Sequence, residues 1–164
     1  MRGVRTLLLI AIAATIGCDR VTKHVATTAL ADEPRQSFLA DTVRLEYAEN
    51  TGAFLGLGAS WSEPVRTAVF GIGNALLLFG LVIVARRQRW STPALLGVAL
   101  FVAGGLSNLV DRALHGAVVD FLNVGIGPLR TGIFNVADMA IMLGAGLLVL
   151  EGYRSGETER SASG

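Results

Sequence analysis

Two aspartates, Asp120 and Asp138, are the side chains best placed by type and spacing to do chemistry together. Asp120 falls in the short β-prone run Ala117-Val118-Val119-Asp120-Phe121, and Asp138 closes Phe134-Asn135-Val136-Ala137-Asp138, which opens a long apolar stretch. Their separation lets the intervening loop fold back and bring both carboxyls together. Two carboxyls at hydrogen-bond distance do not both ionise readily, so they share one proton. The charged member can activate a water while the other protonates a carbonyl, which is acid–base amide hydrolysis without a covalent enzyme intermediate. Asn135 is a natural helix N-cap that puts Asp138 at the third helical position. The positive end of that helix favours a charged Asp138 and leaves the proton with Asp120, in a titration that belongs to the pair.

Other chemistries fit less well. A Ser–Lys dyad would need Ser107 and Lys23, the chain's single lysine. Lys23 lies one helical turn beyond Asp19, a spacing suited to an ion pair, and Ser107 is expected to bond back within its own helix. A Ser107–His115 pair would need the histidine to return from a loop. Cys18, the single cysteine, has no base at a suitable spacing and reads as a buried structural residue. One cysteine also excludes an intrachain disulfide and a cysteine-based zinc site, and His24 and His115 form no HExxH motif. No metal or cofactor is expected. Arg2, Arg5, the following apolar run and Ile16-Gly17-Cys18 imitate a lipoprotein signal peptide. Thr15 at the usual leucine position and three further apolar spans oppose that reading.

The elements that must position these residues are membrane spans. The chain has 164 residues, 52% of them hydrophobic, with a net charge of +1, so it reads as one domain with no sign of nucleic-acid binding. Runs of about 6–26, 65–85, 93–111 and 134–153 are each long and apolar enough, or nearly so, to cross a bilayer. Arg2 and Arg5, then Arg86, Arg87 and Arg89, then Arg154 and Arg160 flank them on one side, which the positive-inside rule makes cytoplasmic. The expected fold is therefore an all-α membrane protein of four transmembrane helices with both termini in the cytoplasm. Residues 1–154 form its single domain, and the polar tail 155–164 is expected to be disordered. Outside the membrane, Thr42 to Tyr47 alternates as a half-exposed strand and pairs with the run near Asp120 in a small outer sheet. The apolar, glycine-containing stretch from Phe54 to Trp61 is expected to lie at the headgroups as a flap or short interfacial helix.

Charges inside spans cost about 2.5–3.5 kcal/mol each on insertion scales and call for an explanation. Asp19 lies roughly 20 Å along the first helix from its cytoplasmic edge. Gly104, Asn108 and Asp111 or Arg112 share a stripe on the third span, and Asp138 begins the fourth. The embedded carboxylates thus converge on the outer third of the membrane. From polarity alone, a set of staples at a wet interface explains this as well as an active site does. A small proton-coupled transporter is a further alternative, but it would place carboxylates near the midplane and usually carry an internal repeat, which this chain lacks.

Five ordered blocks then resemble the bacterial lipoprotein (type II) signal peptidases. They are Asp19-Arg20-Val21-Thr22-Lys23, Asn50-Thr51-Gly52-Ala53, Gly104 through Arg112, Val118-Val119-Asp120-Phe121 and Phe134-Asn135-Val136-Ala137-Asp138. The resemblance implies four helices, an outer β-cradle and cleavage of diacylglyceryl-modified prolipoproteins just before the lipidated cysteine. It implies a multi-pass monomer in the bacterial cytoplasmic (inner) membrane, in contact with membrane lipids, its site near the outer face. Asp120 and Asp138 become the catalytic dyad. Asn50, Gly52, Asn108, Arg112 and Asn135 shape the pocket or hold substrate, while Asp19, Lys23, Gly104, Asp111 and Ala137 give structural support. Two departures stand out: Arg20 replaces the family's common glutamine, and Phe54-Leu55 follows Gly52-Ala53 where a second alanine and an aromatic residue are usual.

Overall fold

A computed structural model describes the backbone of residues 2–52, 58, 60–88 and 90–163, with side chains through residue 155. Helix α1 spans Arg2–Leu30. Its buried residues, Thr15, Asp19, Lys23, Ala26 and Leu30, recur every three or four positions and form one stripe facing the other helices. Cys18 falls off that stripe and is exposed, contrary to its reading as a buried residue. Helix α2, Glu63–Arg87, starts with an α-helical turn, passes through a π-helical stretch at Thr67–Gly73 and continues as α-helix from Asn74.

Helix α3, Thr92–His115, is capped by Ser91, whose hydroxyl accepts from the Ala94 N–H at 3.2 Å. It ends at Gly116, whose φ of 76° is the left-handed conformation that stops a helix cheaply in glycine. Helix α4, Val136–Ser163, begins just after Asn135, and its helical backbone runs on through the polar segment to Ser163. Each helix extends beyond the apolar run that announced it, because the backbone bonds continue past the hydrocarbon boundary.

Helices α3 and α4 pack closely because small residues face each other. A Cβ on Gly104 would lie 2.4 Å from the Ala137 carbonyl oxygen, and one on Gly144 would lie 2.5 Å from that of Gly97. Helices α2, α3 and the first part of α4 are long and apolar enough to cross a membrane. Large apolar side chains such as Ile72, Leu76, Phe79 and Leu143 point outward from them, as a lipid-facing surface requires. α1 carries Asp19 and Lys23 within its length, and both are buried against the other helices.

The sheet is larger than its two legible strands. Strands β1 (Gln36–Phe38), β2 (Val43–Asn50), β3 (Val118–Ile126) and β4 (Leu129–Arg130) pair antiparallel in chain order. In the β2–β3 ladder Leu45 pairs with Leu122 but Ala48 with Asp120, so Glu46 and Tyr47 together oppose Phe121. This bulge reverses the side-chain parity of β2, turning Ala48 and Asn50 onto the Asp120 face. Most of the expected Phe54–Trp61 flap, including Phe54 and Leu55, lies outside the described residues.

Candidate active site

Residues from three helices and two strands meet at one end of the bundle. Asn135 is the N-cap of α4: its Oδ1 accepts from the Asp138 N–H at 3.0 Å, and its own N–H donates to Asp138 Oδ2 at 3.2 Å. This reciprocal box fixes Asp138 in the first helical turn, as the sequence spacing predicts. The β3–α4 connection folds back through a bridge between Leu122 and Phe134, with N–H to carbonyl bonds of 2.9 Å in both directions. That bridge lays Asn135 beside Asp120. The Asn135 side chain then donates Nδ2–H to Asp120 Oδ1 at 2.6 Å. One asparagine therefore holds both aspartates.

The remaining carboxylate oxygens are also addressed. Asn50 donates Nδ2–H to Asp120 Oδ2 at 2.9 Å, which the β2 bulge makes possible. Its Oδ1 accepts from the Gly52 N–H at 3.0 Å. Arg112 donates Nε–H to the Gly52 carbonyl at 3.0 Å and a second N–H to the same oxygen, tying the segment after β2 to α3. Asn108 donates Nδ2–H to Asp138 Oδ1 at 2.9 Å. Asp120 is 2% exposed. Burial pushes its pKa up to about 6; the bonds from Asn50 and Asn135 oppose that rise, and the neighbouring Asp138 charge adds to it.

Below the two carboxylates a cavity of about 560 Å³ opens. Asn50, Asn108, Arg112, Asp120 and Asp138 form its polar end, and Val69, Phe70, Leu77, Phe101 and Ile141 line the rest. Leu77, Phe101 and Ala145 also wall an apolar groove that leads on between α2, α3 and α4.

The other predicted charges form a separate brace. Asp19, fully buried, accepts from the Ala137 N–H at 2.9 Å and from the Ser107 hydroxyl at 2.6 Å. Ser107 thus reaches across to α1 instead of bonding within its own helix, because a carboxylate is the stronger acceptor. Lys23 Nζ lies 2.7 Å from Asp19 Oδ2, 2.6 Å from Asp111 Oδ2 and 2.8 Å from Asn108 Oδ1. Arg20, the residue that departs from the resembled pattern, holds the other Asp111 oxygen at 2.5 Å. Asn108 touches both Lys23 and Asp138 and so joins brace to dyad. Asn123 and Arg130 carry no motif that marks them in the sequence. Arg130 donates to Asn123 Oδ1 and to the Asp41 carbonyl, both at 2.6 Å, locking the far end of the sheet.

Fold and site together define a helical membrane protein that sets two linked carboxyls at the polar end of an apolar cavity. The model of the family described as Signal peptidase (SPase) II matches residues 11–154. The chain belongs to the signal peptidase II family. It is 36% identical over 158 residues to a lipoprotein signal peptidase of Actinobacillus succinogenes, covering 94% of this chain and 93% of that one. It is 39% identical over 144 residues to another from Sphingopyxis alaskensis, covering 85% and 80%. A solved structure described as a bacterial membrane enzyme, obtained by the in meso method at 2.3 Å resolution, shares the fold with a TM-score of 0.83. That likeness, at 23% identity, covers 93% of this chain and 91% of the other.

Proposed function

We propose that this chain is a membrane aspartic endopeptidase. It removes signal peptides from diacylglyceryl-modified bacterial prolipoproteins by cutting just before the lipidated cysteine. The observation that carries this reading is the pair Asp120 and Asp138, held from separate elements by Asn135 at the polar end of an apolar cavity. Asp138 takes a proton from a water as that water's oxygen attacks the scissile carbonyl carbon, and Asp120 gives its proton to the carbonyl oxygen. The resulting gem-diol collapses as Asp138 passes its proton to the leaving nitrogen and the C–N bond breaks. Asp120 recovers a proton from one hydroxyl as the C=O bond re-forms, so both acids end as they began. The raised Asp120 pKa favours it as the proton holder.

Asn50, Gly52, Asn108, Arg112 and Asn135 shape the pocket and orient substrate. Asp19, Lys23, Asp111, Gly104 and Ala137 keep the helices in register beneath it. The apolar groove beyond the cavity suits the acyl chains of the modified cysteine. All four helices span the bacterial inner membrane in this reading, α1 included, because its embedded Asp19 and Lys23 are buried and paired. The flanking arginines put both termini in the cytoplasm and the dyad near the outer face, and the molecule works as a monomer.

The test is cleavage of a diacylglyceryl-prolipoprotein by purified wild type, Asp120→Asn and Asp138→Asn. Each variant is expected to lose on the order of 10³-fold or more in rate. A correctly folded variant cutting at the wild-type rate refutes the dyad, and equal cleavage of unlipidated precursor refutes the substrate.

A further inference from the structure

Behind the sheet, on the side away from the two aspartates, a second cavity of about 480 Å³ lies between α1, β2, β3 and α3. The parity change in β2 builds it: Ala48 and Asn50 turn toward the dyad, so Tyr47 and Glu49 turn the other way. Arg20 and His24 stand one turn apart on α1, facing Asp111 and His115 one turn apart on α3.

Most charges at the cavity floor are already committed. Lys23 uses its three N–H donors on Asp19, Asp111 and Asn108. Asp111 has one oxygen on Lys23 and the other on Arg20. Four groups remain open. Arg20 spends one edge on Asp111 and the Ser107 carbonyl, yet its side chain is 37% exposed. His24 and His115 are exposed, and their imidazoles make no hydrogen bond among the described residues. Glu49 is exposed and accepts at one oxygen from the Tyr47 hydroxyl at 2.8 Å. The cavity thus offers a guanidinium, two imidazoles and one carboxylate. At its flanks Val21 and Val25 of α1 and Leu114 of α3 point outward, 62%, 54% and 70% exposed.

We propose that this second cavity binds the headgroup of an amine-bearing glycerophospholipid. The phosphate lies against Arg20, His24 and His115, the ammonium against Glu49, and the acyl chains along Val21, Val25 and Leu114. A planar-fork guanidinium and imidazole N–H groups match phosphate oxygens, while a lone carboxylate disfavours an anionic headgroup and welcomes a cationic one. The proposal rests on α1 spanning the membrane but not on peptidase activity.

Thermal unfolding of the full chain in detergent tests it, with didecanoyl phosphatidylethanolamine, didecanoyl phosphatidylglycerol, didecanoylglycerol, phosphoethanolamine or inorganic phosphate added. The phosphatidylethanolamine is expected to raise Tm by roughly 3–8 °C when saturating, and the other four by less than half as much. The double variant His24→Gln/His115→Gln is expected to lose most of that rise. Glu49→Gln, which leaves the phosphate side intact, is expected to bring the phosphatidylethanolamine and phosphatidylglycerol shifts together. An undiminished rise in the double variant overturns the site. A full rise with didecanoylglycerol overturns headgroup recognition, and one with phosphoethanolamine or phosphate alone overturns the lipid assignment. A persisting preference for phosphatidylethanolamine in Glu49→Gln overturns the ammonium contact.

Discussion

Asp120 sits where a strand meets the cavity, and burial keeps its carboxyl up at about 6 against the pull of Asn50 and Asn135. An unfolded aspartate titrates near 3.9. Between those values the folded chain holds a proton that the unfolded chain has lost, so this group's contribution to stability falls as pH rises through the window and levels off above it. Asp120→Asn cannot ionise; its one oxygen keeps one of the two amide donors, and the loss of the other is the same at every pH. Its Tm relative to wild type is therefore expected to be higher at pH 8 than at pH 4, by on the order of 2–6 °C. Scanning both proteins at the two pH values checks this, and a constant gap would show that burial does not govern Asp120. The substitution proposed to end cleavage should thus also remove a pH-dependent loss of stability, the usual tension at a site built from buried acids.

At the scale of elements, packing of α3 on α4 decides whether Asn108 and Asp138 meet. A Cβ on Gly104 would come 2.4 Å from a backbone oxygen of Ala137, which cannot move without shifting the first turn of α4. A Cβ on neighbouring Gly105 would instead meet the end of the Leu78 side chain at 2.7 Å, which can rotate away. Gly104→Ala is expected to cost about 1–3 kcal/mol and to depress cleavage, while Gly105→Ala costs clearly less; chemical denaturation and rate measurements on both separate the two. Local spacing made several of these features legible beforehand. The Asn135–Asp138 cap, the Asp19–Lys23 pair and the inward stripe of α3 all follow from helical periodicity within a few residues. The β2 bulge did not show, because the run from Thr42 to Tyr47 alternates regularly and the extra residue becomes visible only against Leu122 and Asp120 in the partner strand. The cross-helix partners of Ser107 and Arg20 were hidden for the same reason. They depend on which faces of α1 and α3 meet, and no spacing within either helix encodes that.

For the whole molecule, membrane placement determines whether the dyad can meet a lipid-anchored substrate. α2, α3 and α4 are apolar enough to span by composition, whereas α1 carries Arg5, Asp19, Arg20 and Lys23 within its length. In the proposed placement α1 spans as well: the charges of Asp19 and Asp111 are offset by Lys23 and Arg20, which leaves side chains such as Leu9, Ile10 and Val21 on the outer face. This arrangement predicts an up-down-up-down path with the sheet outside and Gln88 and Ser155 inside. In a Cys18→Ser background, single substitutions Asp32→Cys, Gln88→Cys and Ser155→Cys put a thiol at exposed positions on each side. A membrane-impermeant maleimide added to intact spheroplasts is expected to label Asp32→Cys, and to label the other two only after lysis. Labelling of Asp32→Cys and Gln88→Cys together before lysis would mean that α2, the one helix between them, does not cross. The dyad would then no longer lie at the depth where a diacylglyceryl anchor presents the scissile bond.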